Sequence, residues 1–353
     1  MSEIKVNNIT NYDGSSGPVL SGITTVSSTG YMTLPKGPTE YRGGRGRGIF
    51  AGGNLSPAPR VNTIEYITIA TTGNSNDFGD LTGAKNRGAS CASSTRGIFA
   101  NGIVDPGSSV NTIDYITISA TGNAFDFGDI SISRGNTVDD NRFGITGCSN
   151  NIRGIFSGGY NPTISTSIDF ITIASLGNSA LFGELTSRRR DATSLSSPTR
   201  GIIIGGYNGS VTQNIMDYVT ISTAGNAIDF GDITNTTLSG GIPTRHNAMP
   251  ASSGTKGLFA GGSINTNAID YITIASLGDS IDFGDLTQTK AAGNGTSNSI
   301  RAVFAGGSTP TFSNVIDYVT IESTGNAVDY GDLSSARHYL FNGQCSDAHG
   351  GLG

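Results

Sequence analysis

Six times the chain spells out one unit: Arg-Gly-Ile-Phe-Ala-Gly-Gly, then Ile-Asp-Tyr-Ile-Thr-Ile, then Gly-Asn-Ala-x-Asp-Phe-Gly-Asp-Leu. The basic residue opening each copy is Arg47, Arg96, Arg153, Arg200, Lys256 or Arg301. The acid of the middle phrase is Glu65, Asp114, Asp169, Asp217, Asp270 or Asp317. The last phrase carries Phe78, Phe127, Phe182, Phe230, Phe283 or Tyr330, followed each time by Gly and an acid. A period of about fifty residues with these features restricts the chain to an array of small β-sheets, each burying its faces on its neighbours. Repetition also separates scaffold from site. What recurs in every copy holds the fold, and function is expected where the copies differ.

Each unit parses into four strands. Strand a precedes the opening Arg, and strand b is the Gly-Ile-Phe-Ala-Gly-Gly run. Strand c alternates large and polar residues through Ile-Asp-Tyr-Ile-Thr-Ile, and strand d ends at the aromatic. The 52 glycines supply tight turns, and no long window has helical periodicity. Four short strands cannot cover both faces alone, so stacking in a closed ring is expected. The first unit has no strand a, but residues 340–349 supply a surplus one, with Cys345-Ser346 matching Cys148-Ser149. This C-terminal strand is expected to complete the blade begun at Arg47. The predicted architecture is all-β: a six-bladed β-propeller of four-stranded blades over residues 42–353, preceded by an extended, β-like anchor segment over residues 1–41.

The order of Arg, small-residue strand, apolar strand ending Gly-Gly, acid-Tyr and terminal aromatic resembles kelch repeats. The terminal aromatic is Phe or Tyr where kelch units usually have Trp, and this chain has no Trp. A closer resemblance is to virion proteins of bacteriophages that infect marine cyanobacteria. It rests on Arg-Gly-Ile-Phe-Ala-Gly-Gly, Ile-Asp-Tyr-Ile-Thr-Ile-Ala, Asp-Phe-Gly-Asp-Leu, the ending Ala348-His-Gly-Gly-Leu and the opening Ile4-Lys-Val-Asn-Asn-Ile-Thr-Asn. It implies a structural or fibre-like part of a phage particle, located in the virion after synthesis in the host cytoplasm.

Spacing identifies the face that varies. The strand-c acid and strand-d aromatic are 13 residues apart in all six copies, which fixes the c–d turn. The strand-a small position lies five residues before the opening Arg, which fixes the a–b turn. From opening Arg to strand-c acid the distance ranges from 14 to 18, and from aromatic to next Arg it alternates between 18 and 26. The b–c and d–a connections emerge together on one side of a propeller, so all variation falls there, where binding residues are usually carried. Asp139, Asp140 and Arg142 lie in one long d–a loop, and Arg245 and His246 in another. Arg188 and Arg189 lie between them, and Tyr160 and Tyr207 follow the Gly-Gly of two b–c loops. Such a set can stack on and hydrogen-bond a sugar or a polar peptide surface; the alternative is that they are ordinary solvated loop residues. The strand-c acids and opening Args are expected to pair within or between blades.

The chemistry an enzyme needs is missing from this pattern. The three histidines, His246, His338 and His349, lack ligand spacing. Cys91, Cys148 and Cys345 share one register with Leu195, Ala251 and Thr296, which marks a small buried strand position rather than a metal or redox trio. The adjacent Asp139 and Asp140 suit acid–base glycoside hydrolysis poorly. The expectation is a non-enzymatic protein with no cofactor and no metal. A net charge of −6 argues against nucleic acid, and the short apolar runs argue against membrane insertion. Residues 1–41 cannot bury a core of their own. Ile4, Val6, Ile9, Val19, Ile23 and Val26 are the expected anchoring residues, ordered by other virion proteins or in a homotrimeric stalk. Two functions remain: an adhesin whose variable face meets a host surface glycan or protein, or a purely architectural capsid or tail decoration or connector.

Overall fold

The computed structural model describes residues 46–55, 59–130, 141–234, 244–263 and 266–352. The proposed anchoring residues Ile4, Val6, Ile9, Val19, Ile23 and Val26, together with Asp139 and Asp140, lie outside them.

Alternation of large and polar residues makes each copy one antiparallel sheet. In the second copy the strands are Ala89–Ala92, Arg96–Val104, Ser108–Thr117 and Phe125–Asp129, paired in the order a-b-c-d. Blades 3 to 6 repeat this order over residues 146–184, 193–232, 249–285 and 294–332. Blade 1 has strands b, c and d at Arg47–Ala51, Thr63–Thr68 and Asn76–Asp80. Its strand-a place is taken by the C-terminal segment. Gly48 pairs with Ser346 as Gly154 pairs with Ser149 in blade 3, and the Ile49 amide donates to the Cys345 carbonyl at 2.9 Å. The six blades form a ring, a six-bladed β-propeller closed by the two ends of the repeat array.

The core lies between blades. Ile49, Ile64 and Phe78 of blade 1 meet Phe99, Ile116 and Ile118 of blade 2 in one buried cluster, and five further clusters occupy the other sectors. A bulge aims the strand-d aromatic into this core. Ile64 pairs with Gly79 and Glu65 with Asp77, so Phe78 is the extra residue and turns inward. It then meets Tyr66 edge-on at 6.0 Å.

The inner strands are keyed by size. A Cβ on Gly97 would lie 2.7 Å from Cys345 Sγ, and one on Gly154 or Gly201 would lie as close to Cys91 or Cys148. Each strand-a side chain thus occupies the space above the glycine of the next blade. Where the strand-a residue is only Ala251, the next blade carries Ala302 instead of glycine, in the same cluster. The three cysteines are buried and unpaired, the strand role their register indicates.

Near the axis on the a–b side, hydroxyls link the inner strands. Ser149, Ser196, Ser252, Ser297 and Ser346 each donate to the carbonyl of the residue in register on the preceding blade, at 2.7–2.8 Å. The sixth place is Ala92, which has no hydroxyl. There His349 Nε2 lies 3.0 Å from the Ala92 carbonyl oxygen, and the turn Gly350–Leu352 is buried beside it. The C-terminal residues therefore supply a strand and fill the axis.

The strand-c acids do not pair with the opening Args. Asp114 pairs with Lys85 at 2.8 Å, Asp317 with Lys290 at 2.9 Å and Glu65 with Arg337 at 2.5 Å. Asp169, Asp217 and Asp270 pair with Arg142, Arg189 and Arg245. Every one of these cations comes from a d–a connection. The opening Args do different work. Arg47 stacks over Tyr66 at 4.7 Å and donates to the Ile118 carbonyl of the next blade at 2.8 Å, and Arg96, Arg153, Arg200, Lys256 and Arg301 repeat the contact. A guanidinium at the surface needs only a carbonyl, whereas a carboxylate buried in the blade needs a full counter-charge.

Candidate functional site

The d–a face is built on a closed ring of main-chain hydrogen bonds. Two residues after each buried cation stand Arg87, Gly144, Asp191, Asn247, Ala292 and Tyr339, all with φ between 53° and 66°. This left-handed conformation turns each amide toward the blade before it. Arg87 N–H donates to Tyr339 C=O, Gly144 to Arg87, Asp191 to Gly144, Asn247 to Asp191, Ala292 to Asn247 and Tyr339 to Ala292, at 2.6–3.1 Å. The chain of bonds returns to its start. This collar surrounds a shallow well on the axis, with room at its base for little more than a water molecule. Its floor is Asn342, whose Nδ2 donates to the Ala192 carbonyl and whose Oδ1 accepts from the Thr146 and Thr193 hydroxyls.

Because the collar amides and carbonyls satisfy one another, contact with a ligand falls to side chains. They form a continuous crescent. Phe312 meets His338, with centroids 3.8 Å apart, and His338 meets Tyr339 at 4.3 Å. The Arg87 guanidinium lies 3.8 Å over Tyr339 and 5.8 Å from Phe143. Phe143 meets Tyr160 edge-on at 5.3 Å. Arg190 stands between Tyr160 at 5.8 Å and Tyr207 at 5.2 Å, and Tyr207 adjoins His246 at 6.0 Å. The crescent ends where Ala291 and Ala292 carry no ring. Main-chain pairing holds it from below: Phe143 bridges to Tyr160, and Arg190 to Tyr207.

Arg87 and Arg190 bring two positive charges to this face and Asp191 one negative. Burial lowers the His338 pKa to about 4, and Arg87 adds to the shift. Burial also lowers that of His246; Asp191 opposes this, and Arg190 and Arg87 add to it. Both rings are neutral near pH 7. Arg190 is paired with Asp191 at 2.7 Å. Among the described residues, Arg87 has no carboxylate partner.

Of the sequence-selected site residues, Tyr160, Tyr207 and His246 come together in the crescent. Arg142, Arg189 and Arg245 do not. They are 0%, 0% and 1% exposed and engaged with strand-c acids, so they support the face and cannot touch a ligand on it. Arg188 is exposed but takes no part in the ring contacts. The sequence reading missed Arg87, Phe143, Phe312, His338 and Tyr339 as site residues, and within the run Arg188–Asp191 chose Arg188 and Arg189 over Arg190. One signal was available: Lys85, Arg142, Arg189, Arg245 and Lys290 each stand six residues before the strand-a small position.

Among the described residues no group of His, Cys, Asp or Glu could hold a metal ion, and no helix is long and apolar enough to cross a membrane. No protein-family model and no curated protein matches the chain.

Proposed function

We propose that this chain is a non-enzymatic structural protein of a phage particle: a fibre- or adhesin-type propeller held through its N-terminal segment, contacting a host surface glycan or protein with the crescent face. The observation that supports this most is the mounting of unlike aromatic and basic side chains on a collar whose main chain is the same in every copy. Tyrosine and arginine on a rigid base give recognition at little cost in ordering. The described chain joins the ring at Gly46, whose carbonyl accepts from the Ile69 amide at the a–b side, opposite the crescent. Many copies per particle would raise a weak single-site affinity. Purified protein is expected to compete with particles for adsorption to cyanobacterial cells, and a Tyr160→Ala/Tyr207→Ala variant to compete at least about tenfold less well, as loss of two aromatic anchors implies. Equal competition by the variant, or none by the parent, counts against this reading.

A connector role is the second reading, and a different surface favours it. Ile152 and Ile300 in a–b turns are 64% and 47% exposed, and Leu176 and Leu277 in c–d turns are both 58% exposed. Apolar turn residues on one side of a disc suit contact with another protein. A density map of an intact particle decides: these turns seated on a neighbouring protein with the crescent also covered would favour the connector.

A further inference from the structure

We infer that the mouth of the axial well takes an anionic sugar residue, its charged group on Arg87 and its ring against Tyr339 and Phe143. This rests on the adhesive reading and narrows it to one ligand chemistry. Three observations carry it. First, Arg87 is half-buried and stacked, yet among the described residues it has no carboxylate partner. Its guanidinium is held by ring faces, which leaves the N–H edge free to grip a carboxylate or sulfate with two donors. Arg190, the other arginine of the crescent, is already paired with Asp191. Second, two rings flank Arg87 at the mouth, Tyr339 at 3.8 Å and Phe143 at 5.8 Å, and offer apolar surface to a sugar lying across the well, which itself admits little more than a water molecule. Third, with Asp191 paired to Arg190, Arg87 is left as an unpaired positive charge among the described residues at the mouth, within a protein of net charge −6. Non-specific adhesion to polyanions is therefore opposed by the molecule as a whole, while a local anion is favoured. Asn247 on the collar adds an amide that can bond a sugar hydroxyl.

A carboxylate and a sulfate would both satisfy Arg87, and matched polymers separate them. The full chain is titrated against immobilised dextran, carboxymethyl-dextran and dextran sulfate, at low and moderate salt. Binding to one or both charged polymers but not to plain dextran is expected, and the stronger of the two names the group. Arg87→Asn is the test variant, because Asn247 shows that the collar accepts asparagine at this conformation. It should lose at least about tenfold in affinity with an unchanged melting temperature, whereas Arg188→Asn, the same charge change on an exposed arginine outside the crescent, should lose little. Equal losses in the two variants would reduce the effect to general charge and overturn the inference. So would binding of plain dextran as tightly as the charged forms. If the parent protein blocks adsorption to cells but ignores both charged polymers, the adhesive reading stands and this inference falls. If it does neither, both fall.

Discussion

The two faces of the ring keep their sixfold regularity by different means. On the a–b face, repeated side chains do it together with main-chain bonds from each c–d turn, such as Gly122 N–H to Phe78 C=O and Ala124 N–H to Asp80 C=O. Each opening Arg or Lys reaches a carbonyl of the next blade. The c–d turn residue Asn74, Asn123, Asn178, Asn226, Asp279 or Asn326 accepts the strand-d amide of the blade before it. Those positions cannot change without losing a contact, and they hardly do. On the d–a face the main chain forms the collar, and the collar residues are Arg, Gly, Asp, Asn, Ala and Tyr. A surface whose symmetry resides in peptide groups leaves its side chains free to diversify. That explains why unlike residues gather on one side of a regular scaffold.

The severest way to break this comparison is to delete residues 341–353. The collar keeps Tyr339, but blade 1 loses its inner strand and the axis loses its filling. The melting temperature is expected to fall by about 10 °C or more; calorimetry showing an unchanged transition would mean that the collar alone closes the ring. Next comes the support of the collar. Asp270→Ala strands the buried Arg245 guanidinium and should cost about 3–5 kcal/mol in denaturant titration. Phe283→Ala, which opens a cavity between blades, should cost a similar amount, about 3–5 kcal/mol. By contrast, Asn326→Ala on the a–b face removes one partly solvated acceptor and should cost about 1 kcal/mol. Similar values for Asp270 and Asn326 would erase the distinction between buried support and surface clasp.

A pH series probes the axial filling. Burial lowers the pKa of the His349 imidazole to about 4, against about 6.5 when free. Between these values the unfolded chain binds a proton that the folded ring does not. This contribution is therefore complete above about pH 6.5 and declines as pH drops toward 4, by up to about 3 kcal/mol. His349→Gln should flatten that slope in urea titrations across the window, and an unaltered slope would place the acid sensitivity elsewhere. The smallest effect is expected on the collar itself. Ala292 holds a left-handed conformation that glycine adopts freely, so Ala292→Gly should stabilise by at most about 1 kcal/mol. A loss greater than that would show that the alanine methyl, and not only the peptide ring, maintains this face.

Much of the fold was legible because repetition fixes distances. The constant spacing from Asp270 to Phe283 and from Ala251 to Lys256 located strands and turns, and the match of Cys345-Ser346 to Cys148-Ser149 located the closing strand. The site was legible only in part. Arg142, Arg189 and Arg245 read as loop residues because the distance from the preceding aromatic varies; counted back from strand a, it does not. They are the buried counter-charges of Asp169, Asp217 and Asp270. Arg87 and Tyr339 carried no signal of their own, since the collar residues share a backbone conformation and no side-chain chemistry. Tyr160, Tyr207 and His246 come together because Tyr160 and Tyr207 follow the Gly-Gly of adjacent blades and His246 follows the buried cation of the next.

The missing hydroxyl at Ala92 has a consequence for assembly. Five petals already hold an inner strand of their own, so the tail has one vacant berth, in the petal begun at Arg47. Past that berth the tail reaches the next petal, where the His349 imidazole lies against the Ala92 carbonyl. The one petal without a hydroxyl at this position is thus the one on which the tail comes to rest, where the circle ends.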